Sequence, residues 1–246
     1  MTMSKKAKLS QPKHGLIIEK DVKIRMRDGA VLYADIFRPK AAGKFPAIVN
    51  ISAYQKDKVW VPPHDLEEKA NPHMTWETVN PTWWVPRGYI CVRVDTRGSG
   101  KSPGLSDPGG PQETLDFYDA IEWAAKQPWC SGNIGSAGIS YHAVTQWRVA
   151  GLQPPSLKAM IPWEGYGDAY RDSVFHGGIF QLYYLATWYA TQMAHHLLGD
   201  PQEYNPDAFR NERLYNYMRH SLDTGYWDNR GAQWDKIKVP FLSAGN

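Results

Sequence analysis

Residues 133–150 read NIGSAGISYHAVTQWRVA, and within them a short strand-like run changes into a helical pattern at a single serine, Ser140. A strand is predicted over residues 133–139, and a helix from Tyr141 to about residue 150. Gly138 leaves no Cβ where the chain must turn sharply. A serine at such a strand-to-helix turn is typical of a nucleophile elbow. The GxSxG pattern is incomplete, because His142 takes the place of its second glycine, and an ordinary turn serine is the alternative.

The segments around this turn predict the α/β class. An Asp28-Gly29 turn inside residues 22–37 indicates a β-hairpin. Apolar runs typical of buried parallel strands and one amphipathic helical pattern follow it in alternation. The apolar runs are residues 45–51, 89–94 and 157–161, and the helix is residues 111–127. This order predicts a mostly parallel sheet covered on both faces.

Four segments are expected along the chain. Residues 1–15 form a flexible basic tail, and residues 16–167 form the core. Residues 168–231, rich in Tyr, Trp, Met and His, are expected to be an inserted helical cap. Residues 232–246 return to the core sheet with a β-type run, and we expect the domain to be cut short there.

Composition excludes several classes of function. The 246 residues carry a net charge of +3, and four lysines of the tail account for it, so the near-neutral body is unlike a nucleic-acid binder. The basic tail is not followed by the apolar segment that a signal peptide or a membrane anchor would have. Cys91 and Cys130 are too few for a disulfide scaffold, which favours a cytoplasmic location. Neither the two cysteines nor His195-His196 have the spacing of metal ligands, so no metal is expected. No cofactor is expected either.

A glycine-rich run, DTRGSGKS, occupies residues 95–102 directly after a predicted strand. It lies where the carboxyl ends of the strands form a ligand-binding edge. Its spacing matches neither the dinucleotide nor the phosphate-loop pattern. We therefore favour a structural turn in which Asp95 and Arg97 pair.

Five motifs, in this order and spacing, resemble the cocaine esterase and X-prolyl dipeptidyl-peptidase group of serine hydrolases, the CocE/NonD family. They are MRDGAVLYAD at 26–35, YQK at 54–56, DTRGSGKS at 95–102, QPWCSGNIG at 127–135 and GISY at 138–141. The resemblance implies the α/β-hydrolase fold, a doubly wound and mostly parallel sheet with an inserted helical cap.

The resemblance also implies a two-step acyl transfer. Ser140 would be the nucleophile, and the oxyanion would be held by the Tyr54 hydroxyl and by the backbone N–H of Tyr141. The alternative for Tyr54 is an ordinary amphipathic tyrosine at a strand end. In the family the triad acid and then the histidine follow the strand after the cap, so both are expected beyond residue 246. His142 is the alternative base, although its position on the helix suits pocket lining better.

Six residues are candidates for the substrate pocket: His142, Trp163, Glu164, Phe175, His176 and Trp188. An aromatic pocket suits an apolar acyl or aryl group. Burial within the cap is the alternative explanation for the aromatic residues.

The sequence therefore predicts a cytoplasmic serine hydrolase that cleaves an ester or amide, as an acyl esterase or an X-Pro dipeptidyl-peptidase. The expected partner is a small-molecule or peptide substrate, with no nucleic acid and no membrane. The alternative function is that of a catalytically incomplete hydrolase fold that only binds a small molecule or a protein. The aromatic cap also suits an interface in a homo-oligomer.

Overall fold

The computed structural model describes residues 10–61, 64–65, 70–194 and 213–245, and a six-stranded sheet forms its centre. The strands are β1 (Leu16–Arg25), β2 (Val31–Pro39), β3 (Phe45–Ser52), β4 (Ile90–Asp95), β5 (Cys130–Ile139) and β6 (Leu157–Trp163). Their order in the sheet is β1-β2-β4-β3-β5-β6. The two pairs that contain β2 are antiparallel, and the other three pairs are parallel. The predicted mostly parallel sheet is thus confirmed.

The described residues form five α-helices. They are α1 (Pro81–Trp84), α2 (Pro111–Ala125), α3 (Tyr141–Gly151), α4 (Leu182–Trp188) and α5 (Arg213–Arg219), with 3-10 turns at Val85–Arg87 and Trp234–Lys236. Of these helices, α1, α2 and α3 pack against the sheet. The long helices α2 and α3 contact each other and share one face, over the larger core cluster. The opposite face carries a smaller cluster around Phe37, Ile48 and Cys91, which Val85 covers. Every residue of β4 is buried, including its two charged residues, Arg93 and Asp95.

The β-type run near residue 240 pairs with the edge strand β6, although it forms only isolated bridges. Met160 N donates to Pro240 O at 3.1 Å, and Leu242 N donates to Met160 O at 3.1 Å. Pro240 has no N–H to donate, so the ladder cannot be continuous there. The run therefore extends the parallel part of the sheet by one irregular member.

Part of the expected tail is attached to the body. Residues 1–9 lie outside the described residues. Lys13 N donates to Pro86 O at 2.6 Å, and Lys40 N donates to Gly15 O at 2.8 Å. Residues 13–15 are thus held by backbone hydrogen bonds.

The expected cap is helical in its described part, with one very short hairpin. It contains π-helical turns at Ala169–Val174 and Tyr189–Ala194, the strands β7 (Phe175–His176) and β8 (Ile179–Phe180), and helices α4 and α5. Buried aromatic side chains, among them Phe175, Tyr217 and Trp227, form its own cluster. His195 and His196 lie outside the described residues. Within the described residues, no helix is long and apolar enough to cross a membrane.

Candidate active site

Ser140 stands at a strained turn between β5 and α3. Its φ is 55° and its ψ is −114°, a region that residues with a Cβ rarely adopt. Backbone hydrogen bonds fix the turn, since Ser140 N donates to Trp163 O at 2.8 Å and Val144 N donates to Ser140 O at 3.0 Å. The serine is therefore held at the carboxyl end of β5, as a nucleophile elbow requires.

Two glycines give the elbow the space that it needs. A Cβ on Gly138 would lie 2.5 Å from the Cβ of His142 and 3.0 Å from the carbonyl oxygen of Glu77. A Cβ on Gly165 would lie 2.5 Å from the Cβ of Ala143. The loop glycine Gly165 thus leaves the space that the first turn of the following helix occupies.

The loop that carries Tyr54 follows β3 and is held by the DTRGSGKS run. Ser99 Oγ donates to Ala53 O at 2.9 Å, and Lys56 N donates to Asp95 Oδ1 at 2.5 Å. Gly100 is in the left-handed region at φ 51°, and a Cβ there would lie 2.4 Å from Asp95 Oδ2. The glycine-rich run therefore holds the Tyr54 loop in place through these hydrogen bonds.

A buried lysine also holds the Tyr54 loop against the neighbouring strands. The Lys56 side chain is only 1% exposed, and its Nζ lies 2.9 Å from Asp21 Oδ1, 3.5 Å from Asp35 Oδ1 and 3.7 Å from Asp95 Oδ2. Burial alone would lower the pKa of Lys56, but the neighbouring carboxylates, Asp95 first, raise it above its ordinary value. Burial raises the pKa of Asp95 well above its usual range, which the charge of Lys56 opposes.

The predicted pairing of Asp95 with Arg97 is wrong. The guanidinium of Arg97 contacts Asp116 through two hydrogen bonds of 2.6 and 2.7 Å, and it also forms an ion pair with Asp28 at 2.7 Å. Asp95 ends β4 and is fully buried beside Lys56. Two residues beyond it, Arg97 lies in the loop and reaches helix α2 instead.

A cavity of about 90 Å³ contains Ser140, Tyr54 and Tyr141 among its lining residues. Its other lining residues are Val144, Glu164, Tyr166, Ser173, Tyr184, Leu185, Trp188, Arg213 and Tyr217. The nucleophile candidate and both oxyanion candidates thus meet in one place. Of the six pocket candidates, Glu164 and Trp188 are in this lining.

The cap contacts the Tyr54 hydroxyl directly. Trp188 Nε1 donates a hydrogen bond of 3.0 Å to the Tyr54 hydroxyl oxygen. Burial raises the pKa of Tyr54 above its ordinary value, so the hydroxyl keeps its proton at neutral pH. A protonated phenol is the form that donates a hydrogen bond to a developing oxyanion.

The side chain of Tyr141 is anchored away from the reacting centre. Its hydroxyl donates to Oε1 of Glu113, and the other carboxylate oxygen of Glu113, Oε2, accepts from Gly109 N at 2.9 Å. The ring stacks on Trp188, with centroids 6.2 Å apart. Tyr141 begins helix α3, where backbone N–H groups have no partner within the helix. Its N–H is therefore the group that suits an oxyanion.

Four pocket candidates lie elsewhere. His142 is buried beside a second small cavity behind Tyr54, and burial lowers its pKa to about 3, so its ring is neutral. The carbonyl oxygen of Trp163 accepts a hydrogen bond from Ser140 N, and Trp163 is 44% exposed. Phe175 is buried in the cap cluster, and the ring of the exposed His176 contacts the carbonyl oxygen of Asp172.

Glu77, which lies beside the elbow, was not predicted from the sequence. Its carbonyl oxygen accepts from Ile139 N at 3.0 Å, and its Oε2 is buried without a hydrogen-bond partner. Burial raises the pKa of Glu77 to about 7, the Glu164 charge adds to the rise, and a hydrogen bond with Ser140 opposes it. Glu77 lies in an irregular stretch with no periodicity, so no pattern pointed to it.

No metal centre accompanies this site in the described part of the chain. Among those residues, no group of three or more His, Cys, Asp or Glu side chains is arranged to hold a metal ion. The described side chains that line the cavity carry hydroxyl, carboxyl and guanidinium groups.

Comparisons with known proteins agree with the fold. The chain is 34% identical over 176 residues to the cocaine esterase of Rhodococcus sp. (strain MB1 Bresler), which covers 70% of this chain and 28% of the esterase. It is 28% identical over 92 residues to the Xaa-Pro dipeptidyl-peptidase of Lactobacillus delbrueckii subsp. lactis, which covers 31% of this chain and 12% of the peptidase.

A solved structure of similar fold is the CocE/NonD family hydrolase of Staphylococcus aureus. The TM-score is 0.79 at 39% identity, over 92% of this chain and 40% of the hydrolase. The chain therefore spans well under half the length of these relatives. The model of the family described as X-Pro dipeptidyl-peptidase (S15 family) matches residues 28–246, and this chain belongs to that hydrolase family.

Proposed function

We propose that this chain carries the nucleophile and the oxyanion hole of a serine hydrolase that cleaves esters or amides. The observation that carries the proposal is the meeting of Ser140, in its strained elbow, with Tyr54 and Tyr141 at one cavity. Strained backbone persists where the surrounding structure holds it, and such strain clusters at active sites. Membership of a hydrolase family supports the same reaction class.

The reaction proceeds in two steps. Ser140 Oγ attacks the carbonyl carbon and passes its proton to a general base, and the resulting oxyanion accepts hydrogen bonds from the Tyr54 hydroxyl and the Tyr141 N–H. The leaving alcohol or amine then takes that proton as its bond to the carbonyl carbon breaks. Water hydrolyses the acyl-Ser140 ester by the reverse sequence, which frees the carboxylic acid.

The general base is proposed to be a histidine oriented by an acid, both C-terminal to residue 246, as the resemblance to the family implies. His142 is a weaker candidate. Its ring is buried, a nitrogen of it bonds to the backbone of Trp76, and it lines a different cavity from Ser140.

Fluorophosphonate labelling of the full-length protein tests this proposal, because such probes react with a serine that a base has activated. The adduct is located by mass spectrometry of the digested protein, with Ser140→Ala as the control. We expect one adduct on the peptide that contains Ser140 and none in the control. A folded protein with no adduct there contradicts the proposal and favours the alternative of a hydrolase fold that only binds its ligands.

Location and assembly are further parts of the proposal. A cytoplasmic location is supported by Cys91 and Cys130, which are both free thiols. A homo-oligomer through the cap is supported by exposed apolar side chains there, such as Tyr183 and Ile179. Fractionation of the producing cell and light scattering of the purified protein test the two points.

A further inference from the structure

Arg213 places a buried positive charge in the lining of the Ser140 cavity. It is the first described residue of α5 and is 7% exposed. A guanidinium keeps its proton in proteins, so this group is a fixed cation. Removing such a charge from water is unfavourable unless an opposite charge or hydrogen bonds compensate it.

The contacts of Arg213 use only part of its guanidinium. Its Nε donates to the Tyr217 hydroxyl. The guanidinium carbon lies 5.0 Å from the Trp188 ring centroid and 5.1 Å from that of Tyr217. Its Nη1 is buried and has no hydrogen-bond partner among the described residues. Aromatic contacts thus hold the group in place, and one N–H-bearing edge stays unsatisfied.

No carboxylate neutralises Arg213 within the described part of the chain. Its nearest electrostatic neighbours are the tyrosines Tyr217, Tyr166 and Tyr141. The nearby Arg148 makes the surroundings more positive, because a Cβ built on Gly109 would lie 3.2 Å from Arg213 Nη2 and 3.4 Å from Arg148 Nη1. Glu113 forms its ion pair with Arg148 at 3.4 Å.

Glu164 is the one carboxylate among the described residues that line the cavity. Its electrostatic effect falls on Glu77, beside the elbow. The lining near Arg213 is instead rich in hydroxyl groups, those of Tyr166, Tyr184 and Tyr217. Hydroxyl donors around a guanidinium are a favourable environment for a carboxylate.

We propose that Arg213 binds a carboxylate on the acyl part of the substrate, so that the enzyme favours esters or amides of short dicarboxylic acids. This inference rests on the proposed function of Ser140. Arg213 and Ser140 line the same cavity of about 90 Å³, so the carboxylate must be only a short chain away from the scissile carbonyl. The bound anion would complete the hydrogen bonding of Nη1 and neutralise the buried charge.

Paired substrates test the inference on the full-length protein. The mono-4-nitrophenyl ester of glutaric acid carries the carboxylate, and the corresponding ester of glutaramic acid replaces it by a neutral amide of similar shape. We expect wild type to prefer the anionic ester. Arg213→Gln should lower the ratio of kcat/KM for the anionic ester over the neutral ester by about 10- to 100-fold, the range for loss of a buried charged hydrogen bond.

A matched control separates binding from folding. Arg230 is also buried, stacks 4.3 Å from the Tyr226 centroid and pairs with Asp107, but it is not in the cavity lining. Arg230→Gln removes a comparable buried charge and should leave the substrate ratio unchanged. If Arg213→Gln lowers kcat/KM equally for both esters, so that their ratio is unchanged, Arg213 is structural and the inference is wrong.

Binding without turnover distinguishes this inference from the proposed function. The Ser140→Ala protein should bind the anionic ester at least about tenfold more tightly than the double variant with Arg213→Gln, measured by calorimetry. This difference would stand even if Ser140 took no fluorophosphonate label. Conversely, a labelled Ser140 with no effect of Arg213→Gln on either readout would overturn the inference and leave the proposed function intact.

Discussion

The indole nitrogen of Trp188, in the cap, donates a hydrogen bond of 3.0 Å to the hydroxyl oxygen of Tyr54, in the core. The two residues are 134 positions apart in the sequence. Trp188 also stacks on Tyr141. One cap side chain thus contacts both residues of the proposed oxyanion hole, and the position of the cap helix α4 bears directly on their geometry.

Tyr54→Phe should reduce kcat by about a hundred- to a thousandfold, because it removes one of two oxyanion donors and keeps the ring packing. The measurement is steady-state hydrolysis of a 4-nitrophenyl ester, with thermal unfolding to verify the fold. Tyr118→Phe, on the remote helix α2, is the control for loss of a phenol hydroxyl. Full activity in Tyr54→Phe would remove this hydroxyl from the mechanism.

Glu77→Gln should flatten the pH dependence of stability. Burial raises the Glu77 pKa from 4.5 to about 7 in the folded protein. The folded state therefore holds a proton that the unfolded chain releases, and this contribution to stability is lost as pH rises from about 4.5 to about 7. Between pH 4.5 and 8, the free energy of unfolding of wild type should fall by up to about 3 kcal/mol more than that of the variant.

Urea unfolding at these two pH values measures the difference. The exposed Asp228→Asn is the control for removal of a carboxyl group, and it should follow wild type. If the free energy of unfolding changed equally between the two pH values in wild type and in Glu77→Gln, Glu77 would be ionised in the folded state.

Lys56→Met should reduce the free energy of unfolding by about 3–5 kcal/mol at pH 7, because it leaves the fully buried Asp95 without the cation beside it, while Asp35 keeps its ion pair with Lys20. The defect should shrink at acidic pH as Asp95, whose pKa burial raises, takes up a proton. Denaturant unfolding checks both expectations, with the exposed Lys44→Met as control. An unchanged free energy of unfolding would mean that the cluster contributes no net stability.

Gly138→Ala should destabilise the protein by about 1–3 kcal/mol, the usual effect of overpacking, because its Cβ would lie 2.5 Å from the Cβ of His142. Gly135→Ala is the matched control in the same strand, since its Cβ would meet nothing closer than 3.5 Å. A melting temperature of Gly138→Ala equal to that of Gly135→Ala would show that the elbow relaxes without strain.

Features that rest on local chemistry could be predicted from the sequence. The Asp28-Gly29 turn forms as expected, with Gly29 at φ 91° and Asp28 Oδ1 accepting from Ala30 N at 3.1 Å. The elbow at Ser140 also follows from a strand pattern, a glycine and a helical pattern in direct succession. In each case neighbouring residues determine the backbone.

Features that rest on contacts between distant segments could not be predicted. Asp95 pairs with Lys56 instead of Arg97, because the direction of a side chain at a strand end depends on the loop that packs against it. Glu77 and Arg213 reach the site from an irregular stretch and from the cap. Neither segment has a periodicity that assigns its side chains to a face.

The contacts around Lys56 have a consequence for the order of folding. Asp21 comes from the hairpin region, Asp35 from β2 and Asp95 from the end of β4, and the hydrogen bond from Lys56 N to Asp95 spans 39 residues. Contacts of this sequence separation form late, because the entropy of closing the chain is lost before they stabilise anything. We therefore expect Tyr54 to reach its final position only after the central strands have assembled, so that the proposed oxyanion hole would form among the last steps of folding.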